Sequence, residues 1–145
     1  MTKKARIILQ EEALSHGYNL NVKKMTESQL QIQCVKWFRL QFSSLKLNLF
    51  HVPNGGKMSR GKGGKYKSEG VVSGIPDLLF LYNGELHAIE MKKPEGFTKT
   101  GNKSRAGTLQ DPQKDVHNQW AKHHVNVFVC YSLESFQEFI LNIVE

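Results

Sequence analysis

The run from residue 76 to residue 92 constrains the fold more tightly than any other part of the chain. Asn83 and Gly84 stand between two apolar runs. This pair favours a type I′ turn, because both central residues of that turn have a positive φ angle. A two-residue loop fixes the register of the two strands that it joins. Counting back from the turn, this register places Asp77 opposite Glu90.

Asp77 and Glu90 should therefore converge on one face of the hairpin. Directly opposed residues have Cβ atoms about 4.5 to 5.5 Å apart. Two carboxylates so placed repel one another unless a proton or a cation lies between them. Lys92 follows Glu90 by two residues and lies on the same face. The order of these features, Asp77, the hairpin, Glu90 and then Lys92, resembles that of a divalent-metal phosphodiesterase site.

Length and charge set broad bounds on the protein. The 145 residues suit one domain. Lys and Arg number 20 against 13 Asp and Glu, a net charge of +7 that favours a polyanionic partner. No apolar run approaches the ~20 residues of a membrane span, and the chain does not start with a secretory signal. We expect a soluble cytoplasmic protein with Cys34 and Cys130 as buried reduced thiols and no zinc site.

The sequence before the hairpin divides into an arm, a helix, a strand and a basic segment. Residues 1–24 form an N-terminal arm with a helical pattern over 5–15, and residues 25–145 form the main domain. Thr26 and Gln29 fit a capping box, which starts a helix that reaches about residue 42 and carries Glu27 on its apolar side. Residues 47–52 favour a strand. Residues 54–70 hold six Gly and five basic residues, a content too rich in Gly for a helix or strand, so we predict a phosphate-binding loop.

The sequence after the hairpin predicts a second loop, two helices and a strand between them. The loop covers residues 94–108. Asp111 as N-cap and Pro112 at the first helical position start a helix to about residue 123. Residues 125–131 favour a buried strand, and Ser132 caps the last helix. The order of the main domain is α, β, β, β, α, β, α. Both faces of the hairpin are apolar, which predicts a mixed four-stranded sheet with helices on both faces.

Several motifs together resemble the PD-(D/E)xK nuclease superfamily and, within it, the VRR-NUC (virus-type replication-repair nuclease) family. The resemblance runs from about residue 27 to residue 145. Its matching parts are Glu27, residues 51–56, Ser73-Gly-Ile-Pro-Asp-Leu78, Glu90-Met-Lys92 with Pro94 and Gly96, and Gln113. The longer stretch 97–108 departs from the family pattern, so the match of Gln113 to the family's glutamine motif is open.

The resemblance implies a restriction-endonuclease-like α/β fold and a metal site. It implies that Glu27, Asp77, Glu90 and the carbonyl of Met91 bind Mg²⁺ or Mn²⁺, and that Lys92 orients or activates the attacking water. Hard oxygen ligands suit Mg²⁺. Gln113 completes the candidate catalytic set. The candidate DNA-binding residues are Asn54, Lys57, Arg60, Lys62, Lys65, Lys67 and Ser73.

The function implied by the resemblance is a metal-dependent DNA endonuclease of phage or prophage type. Small stand-alone members act as homodimers on four-way junctions, and a symmetric junction needs two cuts. The dimer surface would come partly from apolar residues of 1–24 or of the last helix. Two alternatives stay open. One is a flap, nicking or restriction-type nuclease acting on branched or duplex DNA, and the other is a module that binds nucleic acid without cutting it.

Each candidate residue has an ordinary alternative when it is taken singly. Glu27 fits a first-turn acid favoured by the helix dipole, Asp77 fits a turn, and Glu90 with Lys92 fits surface charge at a strand end. Their convergence favours a site. The remaining candidates favour structural roles. His51 fits the core or a strand end, His87 lies on the opposite face, and His123 and His124 close a helix. Trp37 and Trp120 favour the core, with base stacking as the second alternative.

Overall fold

A mixed sheet of four strands organises the protein in the computed structural model, which describes residues 25–53, 62–97 and 102–145, and the backbone alone at residues 62 and 97. In chain order the elements are α1 (Glu27–Gln41), a 3-10 turn (Ser43–Leu45), β1 (Leu49–His51), α2 (Lys62–Ser68), β2 (Leu78–Tyr82), β3 (Glu85–Met91), β4 (Gly96–Phe97), β5 (Lys103–Ser104), α3 (Asp111–Ala121), β6 (Val127–Cys130) and α4 (Leu133–Val144).

The sheet has the strand order β1-β2-β3-β6. The first two pairs are antiparallel and the pair of β3 with β6 is parallel. Strands β4 and β5 form a separate antiparallel pair. A parallel pair needs a crossover connection, and α3 lies within the connection from β3 to β6. The mixed four-stranded sheet flanked by helices is the predicted fold, and it is confirmed.

The turn between β2 and β3 has the predicted conformation. Asn83 and Gly84 have φ angles of 50° and 80°. Both values are positive, as a type I′ turn requires. The register runs from Tyr82 opposite Glu85 back to Leu78 opposite Ile89. Asp77 precedes Leu78, and Glu90 follows Ile89. Both acids are therefore held at the same end of the hairpin.

The main core lies between one face of the sheet and helices α1 and α4. Phe38 of α1 meets Phe80 of β2 with ring centroids 5.2 Å apart. Trp37 packs edge-on against Phe136 of α4 at 6.0 Å. Ile89 belongs to the same cluster of fully buried side chains. Burial of these apolar groups is the main stabilising contribution and fixes β3 against α1.

The opposite face of the sheet carries the site and lies against α3. Side chains alternate along a strand, so Ala88 and Glu90 face away from the cluster that holds Ile89. Ala88 and Glu90 are buried, whereas Leu81 and Leu86, nearer the turn, are 46% and 38% exposed. The prediction that both faces of the hairpin are covered is therefore right at the Glu90 end and wrong at the turn end.

The structure corrects several predicted boundaries. β1 begins at Leu49 and not at residue 47, because Leu47 is 85% exposed and lies in the turn before the strand. α3 is capped by Gln110, so Asp111 is the first helical residue. The backbone N–H of Gln110 donates to Oε1 of Gln113 at 2.9 Å, a contact between side chain and cap that the Asp-Pro pattern did not predict.

Part of the Gly-rich segment is helical, so the prediction that it cannot form a helix is wrong. α2 covers Lys62–Ser68, and Lys65 lies 3.7 Å from Glu69 as an i, i+4 ion pair. Gly70 has a φ angle of 99° and ends the helix. The N–H of Gly70 donates to the carbonyl of Lys67, and the N–H of Val71 donates to the carbonyl of Tyr66. This is the Schellman arrangement, which satisfies carbonyls at the helix end.

Some predictions lie outside the described residues. These are the N-terminal arm of residues 1–24 with its helical pattern, and the positions of Asn54, Lys57 and Arg60. In the predicted loop of residues 94–108, the described part contains β4 and β5. Cys34 and Cys130 are free, buried thiols, as predicted. Contact with Cys130 and burial raise the pKa of the Cys34 thiol.

Candidate active site

Asp77 is fixed by the backbone of the neighbouring strand. Its Oδ2 accepts a hydrogen bond of 2.8 Å from the N–H of Met91 in β3. Its carbonyl accepts hydrogen bonds from the N–H of Val52 at 3.0 Å and pairs with Nδ1 of His51 at 2.7 Å. His51 thus lies at a strand end, where it supports the backbone of Asp77. The carboxylate of Asp77 is held beside the strand that carries Glu90.

Glu90 is a buried acid with a strongly altered pKa. Its side chain is 1% exposed. Burial and the charge of Asp77 raise the pKa of Glu90 to about 8, although Lys92 favours the ionised form. The pKa exceeds 7, so the Glu90 carboxyl holds its proton at neutral pH when no cation is present. Burial is the larger cause of this rise in the pKa, and the charge of Asp77 adds the repulsion expected of two acids that converge.

Lys92 is also buried and is held among oxygen atoms. The residue is 4% exposed. Its Nζ donates to Oε1 of Gln113 at 2.9 Å and lies 3.5 Å from Oε1 of Glu90. A buried ammonium needs such partners, because taking it out of water is costly. Alternation along β3 and its extension puts Lys92 on the same face as Glu90, as the sequence predicts.

Gln113 joins Glu90 and Lys92. Its Nε2 donates to Oε1 of Glu90 at 2.6 Å while its Oε1 accepts from Lys92. Gln113 lies in the first turn of α3, and Gly74 brings that turn close to the hairpin. A Cβ on Gly74 would lie 2.7 Å from the backbone nitrogen of Gln113 and closer still to the carbonyl of Pro112. The position needs glycine for this approach and for its φ of 86°.

His117 belongs to the site by contact, and the sequence prediction missed it. Its Nε2 lies 3.9 Å from Oε2 of Glu90, a distance too long for a direct hydrogen bond. Both atoms are buried and have no hydrogen-bond partner among the described residues. Burial and the charge of Lys92 lower the pKa of His117. The i, i+4 spacing of Gln113 and His117 on one helix face is the signal that could have revealed it.

Glu27 lies at the border of the site. Its side chain is 48% exposed, and its Oε1 lies 3.9 Å from Nζ of Lys92. A Cβ on Gly107 would lie 3.3 Å from Oε1 of Glu27 and 3.5 Å from Cδ of Lys92. The N–H of Gly107 donates to the carbonyl of Lys93 at 2.8 Å. The chain after β5 therefore passes directly over the lysine and the glutamate.

The structure brings together Asp77, Glu90, Lys92 and Gln113, with Glu27 approaching through Lys92. Across the three described ranges, no group of three or more His, Cys, Asp or Glu side chains is arranged to hold a metal ion. Glu27 approaches the lysine rather than the acid pair. Its role as a ligand, and that of the Met91 carbonyl, stay predictions.

The predicted DNA-binding residues whose side chains the structure describes lie on the surface. Lys62 is the first residue of α2, and Lys65 and Lys67 are exposed on the same helix. Ser73 is exposed and directly precedes Gly74. The exposed cations therefore lie a few residues before the segment that packs against α3. None of the helices in the described residues is both long enough and apolar enough to span a bilayer.

The fold belongs to the α/β class. It has a mixed sheet with helices on both faces, and the two carboxylates of the hairpin lie on one of these faces. No protein-family model matches the chain, and no curated protein matches it. Among solved structures, the chain is similar to a VRR_NUC domain protein at 23% identity and a TM-score of 0.61, over 83% of this chain and 88% of that chain. The chain therefore has the fold of a VRR_NUC domain, which confirms the predicted fold.

Proposed function

We propose that this protein is a Mg²⁺- or Mn²⁺-dependent DNA endonuclease that hydrolyses phosphodiester bonds in branched DNA as a homodimer. The observation that carries the proposal is the convergence of Asp77 and Glu90 beside the buried Lys92. It occurs on the fold of a VRR_NUC domain. The net charge of +7 suits a polyanionic substrate.

The residues present fit a divalent cation. Oε2 of Glu90 is a buried oxygen without a hydrogen-bond partner in the described residues. Asp77 approaches closely enough to raise the pKa of Glu90. A cation would replace the proton and relieve the repulsion, so Asp77, Glu90 and the carbonyl of Met91 would hold it. When bound, the cation supplies a more acidic water and offsets charge on the phosphate.

The surrounding side chains hold the acid pair in place before DNA binds. Asp77 is held by the backbone N–H of Met91, and Glu90 by the amide of Gln113. Such fixed contacts lower the cost of reorganisation during reaction. The two carboxyl oxygens of Glu90 therefore differ in their hydrogen bonding. Oε1 accepts a hydrogen bond from Gln113, whereas Oε2 has no hydrogen-bond partner in the described residues.

Lys92 supplies the positive charge at this centre. Its Nζ is held by Gln113 and Glu90 and lies 3.9 Å from Glu27. A fixed ammonium stabilises negative charge that develops on a phosphate, and it can orient a water for attack. Lys92 is buried, so its charge is screened less by solvent than that of an exposed lysine.

The proposed preference for branched DNA requires the proposed homodimer. A chain with one such site cuts one strand at a time, and paired cuts in a symmetric junction need two sites related by a two-fold axis. Phe136, Ile140 and Leu141 of α4 are buried within the protein itself, so these three side chains would not form the dimer surface.

A panel of labelled DNA substrates tests the proposal. Purified protein is incubated with a four-way junction, a flap, a duplex and a single strand, in Mg²⁺, Mn²⁺ or EDTA, and its mass in solution is measured by sedimentation. We expect metal-dependent cuts at symmetry-related positions of the junction, made by a dimer. A monomer that cuts flaps would overturn the junction assignment. The absence of cutting in either metal would overturn the nuclease assignment.

A further inference from the structure

A shallow groove lies on α3 beside the candidate active site. Its volume is about 360 Å³. Its apolar wall consists of Val72, Pro112, Val116 and Trp120, and the polar lining residues are Ser73, Asp115 and Gln119. Val72 is 52% exposed. The groove is therefore open to solvent and offers an apolar surface together with hydrogen-bonding groups.

Trp120 differs from the other tryptophan of the chain in its surroundings. Trp37 packs against Phe42 and Phe136, with ring centroids 5.8 and 6.0 Å away. Trp120 is half-buried, and it is neither part of the main core cluster nor paired with another aromatic ring in the described portion of the chain. The sequence favoured a core position for both residues. For Trp120, the structure instead shows an indole that lines an open groove.

The lining residues suit a nucleobase better than a phosphate. None of the described residues that line the groove is a cation, and the carboxylate of Asp115 would repel a phosphate group. A base has an apolar face that stacks on an indole and an edge that bonds to carboxylate, amide or hydroxyl groups. Asp115, Gln119 and Ser73 provide these three groups.

The position of the groove connects it to the acid site. Gly74 packs against the backbone of Pro112 and Gln113, and Gln113 bonds to Glu90. Val116 of the groove and His117 of the site are neighbours on α3. The exposed cations Lys65 and Lys67 precede the Val72 side of the groove by a few residues. Lys65 and Lys67 therefore lie close in sequence to the groove, and α3 links the groove to Glu90 through Gln113.

We propose that this groove binds an unstacked nucleobase of the DNA strand next to the cleaved phosphate, with Trp120 as the stacking surface. The inference rests on the proposed nuclease function and deepens it, because it names the substrate class. A base inside a regular duplex cannot reach such a surface without leaving its stack. The protein therefore prefers DNA in which a base at the cutting position is unpaired or easily unstacked, as at a flap or at the branch point of a junction.

Binding measurements without metal test this proposal separately from cleavage. The probe is a labelled duplex with a central gap of four nucleotides on one strand, compared with the same DNA in which the four unpaired nucleotides lack their bases. The two probes have equal charge and a fixed register. Affinities are measured by fluorescence anisotropy in EDTA. We expect the wild type to bind the abasic probe about 5- to 150-fold more weakly, the range for stacking of one base on an aromatic ring.

Protein variants assign the effect to the groove. Trp120→Ala should bind both probes with equal affinity, whereas Trp120→Phe keeps an aromatic surface and should retain the discrimination. Leu40→Ala, which removes a side chain that is 72% exposed on α1, is the matched control and should behave as the wild type. Circular dichroism checks that each variant is folded.

Two results would overturn the proposal. One is equal affinity of the wild type for the two probes. The other is a folded Trp120→Ala that discriminates as strongly as the wild type. Neither result depends on catalysis. If the wild type discriminates between the probes but cuts no DNA in Mg²⁺ or Mn²⁺, the base-binding groove stands and the nuclease proposal fails.

Discussion

At the scale of single residues, the charge of Glu90 controls the candidate site. Burial and Asp77 oppose ionisation, and Lys92 favours it. The balance leaves the pKa of Glu90 at about 8, far above the ordinary value of 4.5. A group with such a pKa binds either a proton or a cation, so folding stability, pH and metal binding are linked at this position.

Stability without metal should therefore fall as pH rises. Between about pH 4.5 and 8 the folded protein keeps the Glu90 proton and the unfolded chain releases it, so the folded state loses stability relative to the unfolded state as pH increases. Below pH 4.5 both states are protonated at this group. Glu90→Gln has no such proton. We expect the wild type to lose stability relative to Glu90→Gln by at most about 1.4 kcal/mol per pH unit in this window.

Thermal unfolding in EDTA at a series of pH values measures this difference. Other titrating groups are common to both proteins, so the difference between the two curves isolates Glu90. Parallel curves would show that the Glu90 carboxyl is ionised in the folded protein throughout this range.

The sequence predicted the residues of the site that lie on the hairpin. Asp77, Glu90 and Lys92 followed from a two-residue turn and strict alternation, which are local rules. Gln113 followed from a resemblance, with its match left open by the stretch 97–108. His117 was missed because its contact with Glu90 depends on how α3 docks on the sheet, and its i, i+4 spacing from Gln113 points to the site only once Gln113 is placed there.

At the scale of elements, the close approach of α3 to the segment before β2 assembles the site. Gly74 allows this approach because it has no Cβ and adopts a positive φ angle. The first turn of α3 then places Gln113 against Glu90 and Lys92. A small residue in a loop thus determines the position of a side chain on a helix.

Gly74→Ala should damage both stability and activity, and Gly84→Ala is its matched control. Both glycines have a positive φ angle, but a Cβ on Gly84 would meet nothing within 4 Å. Gly84→Ala should cost about 1–2 kcal/mol from backbone strain alone. Gly74→Ala should cost more, because the backbone of Pro112 and Gln113 must also move. Displacement of Gln113 should lower the cleavage rate by about 100-fold.

Chemical denaturation and single-turnover cleavage measure the two effects. Equal losses of stability for Gly74→Ala and Gly84→Ala would contradict the packing of α3 described above, as would an unchanged cleavage rate for a folded Gly74→Ala.

The sequence predicted helices and strands well where apolar residues recur periodically, and less well where they do not. The capping box of Thr26 starts α1 and Ser132 caps α4, as predicted. α2 was missed, because a helix with Gly63 and Gly64 has poor intrinsic propensity. Its Lys65–Glu69 pair and its glycine C-terminal cap provide stabilisation that propensity alone does not count.

At the scale of the whole molecule, the excess of positive charge is concentrated before the site. Lys57, Arg60, Lys62, Lys65 and Lys67 lie within eleven residues of sequence, from 57 to 67. The two that the structure describes with side chains, Lys65 and Lys67, are exposed on α2. Their charge should contribute to DNA affinity through release of counterions rather than through a defined contact with a base.

Neutralising these five residues should weaken DNA binding and reduce its dependence on salt. Each lost phosphate contact should lower the slope of log affinity against log salt concentration by about 0.9 for duplex DNA. Anisotropy titrations at several salt concentrations give the slope for the wild type and the variant. An unchanged slope would show that this segment does not contact phosphate.

Asp77, Glu90 and Lys92 are proposed to form a metal-dependent nuclease site. The most direct test compares the wild type with Lys92→Ala in single-turnover cleavage of a four-way junction, at saturating protein, with Mg²⁺ and with EDTA. Lys46→Ala, which removes an exposed lysine, is the control. We predict that EDTA abolishes cleavage, that Lys92→Ala lowers the rate at least about 100-fold while its DNA affinity stays within about twofold, and that Lys46→Ala cuts normally. Cleavage that persists in EDTA, or a Lys92→Ala variant that cuts at the wild-type rate, would contradict the account.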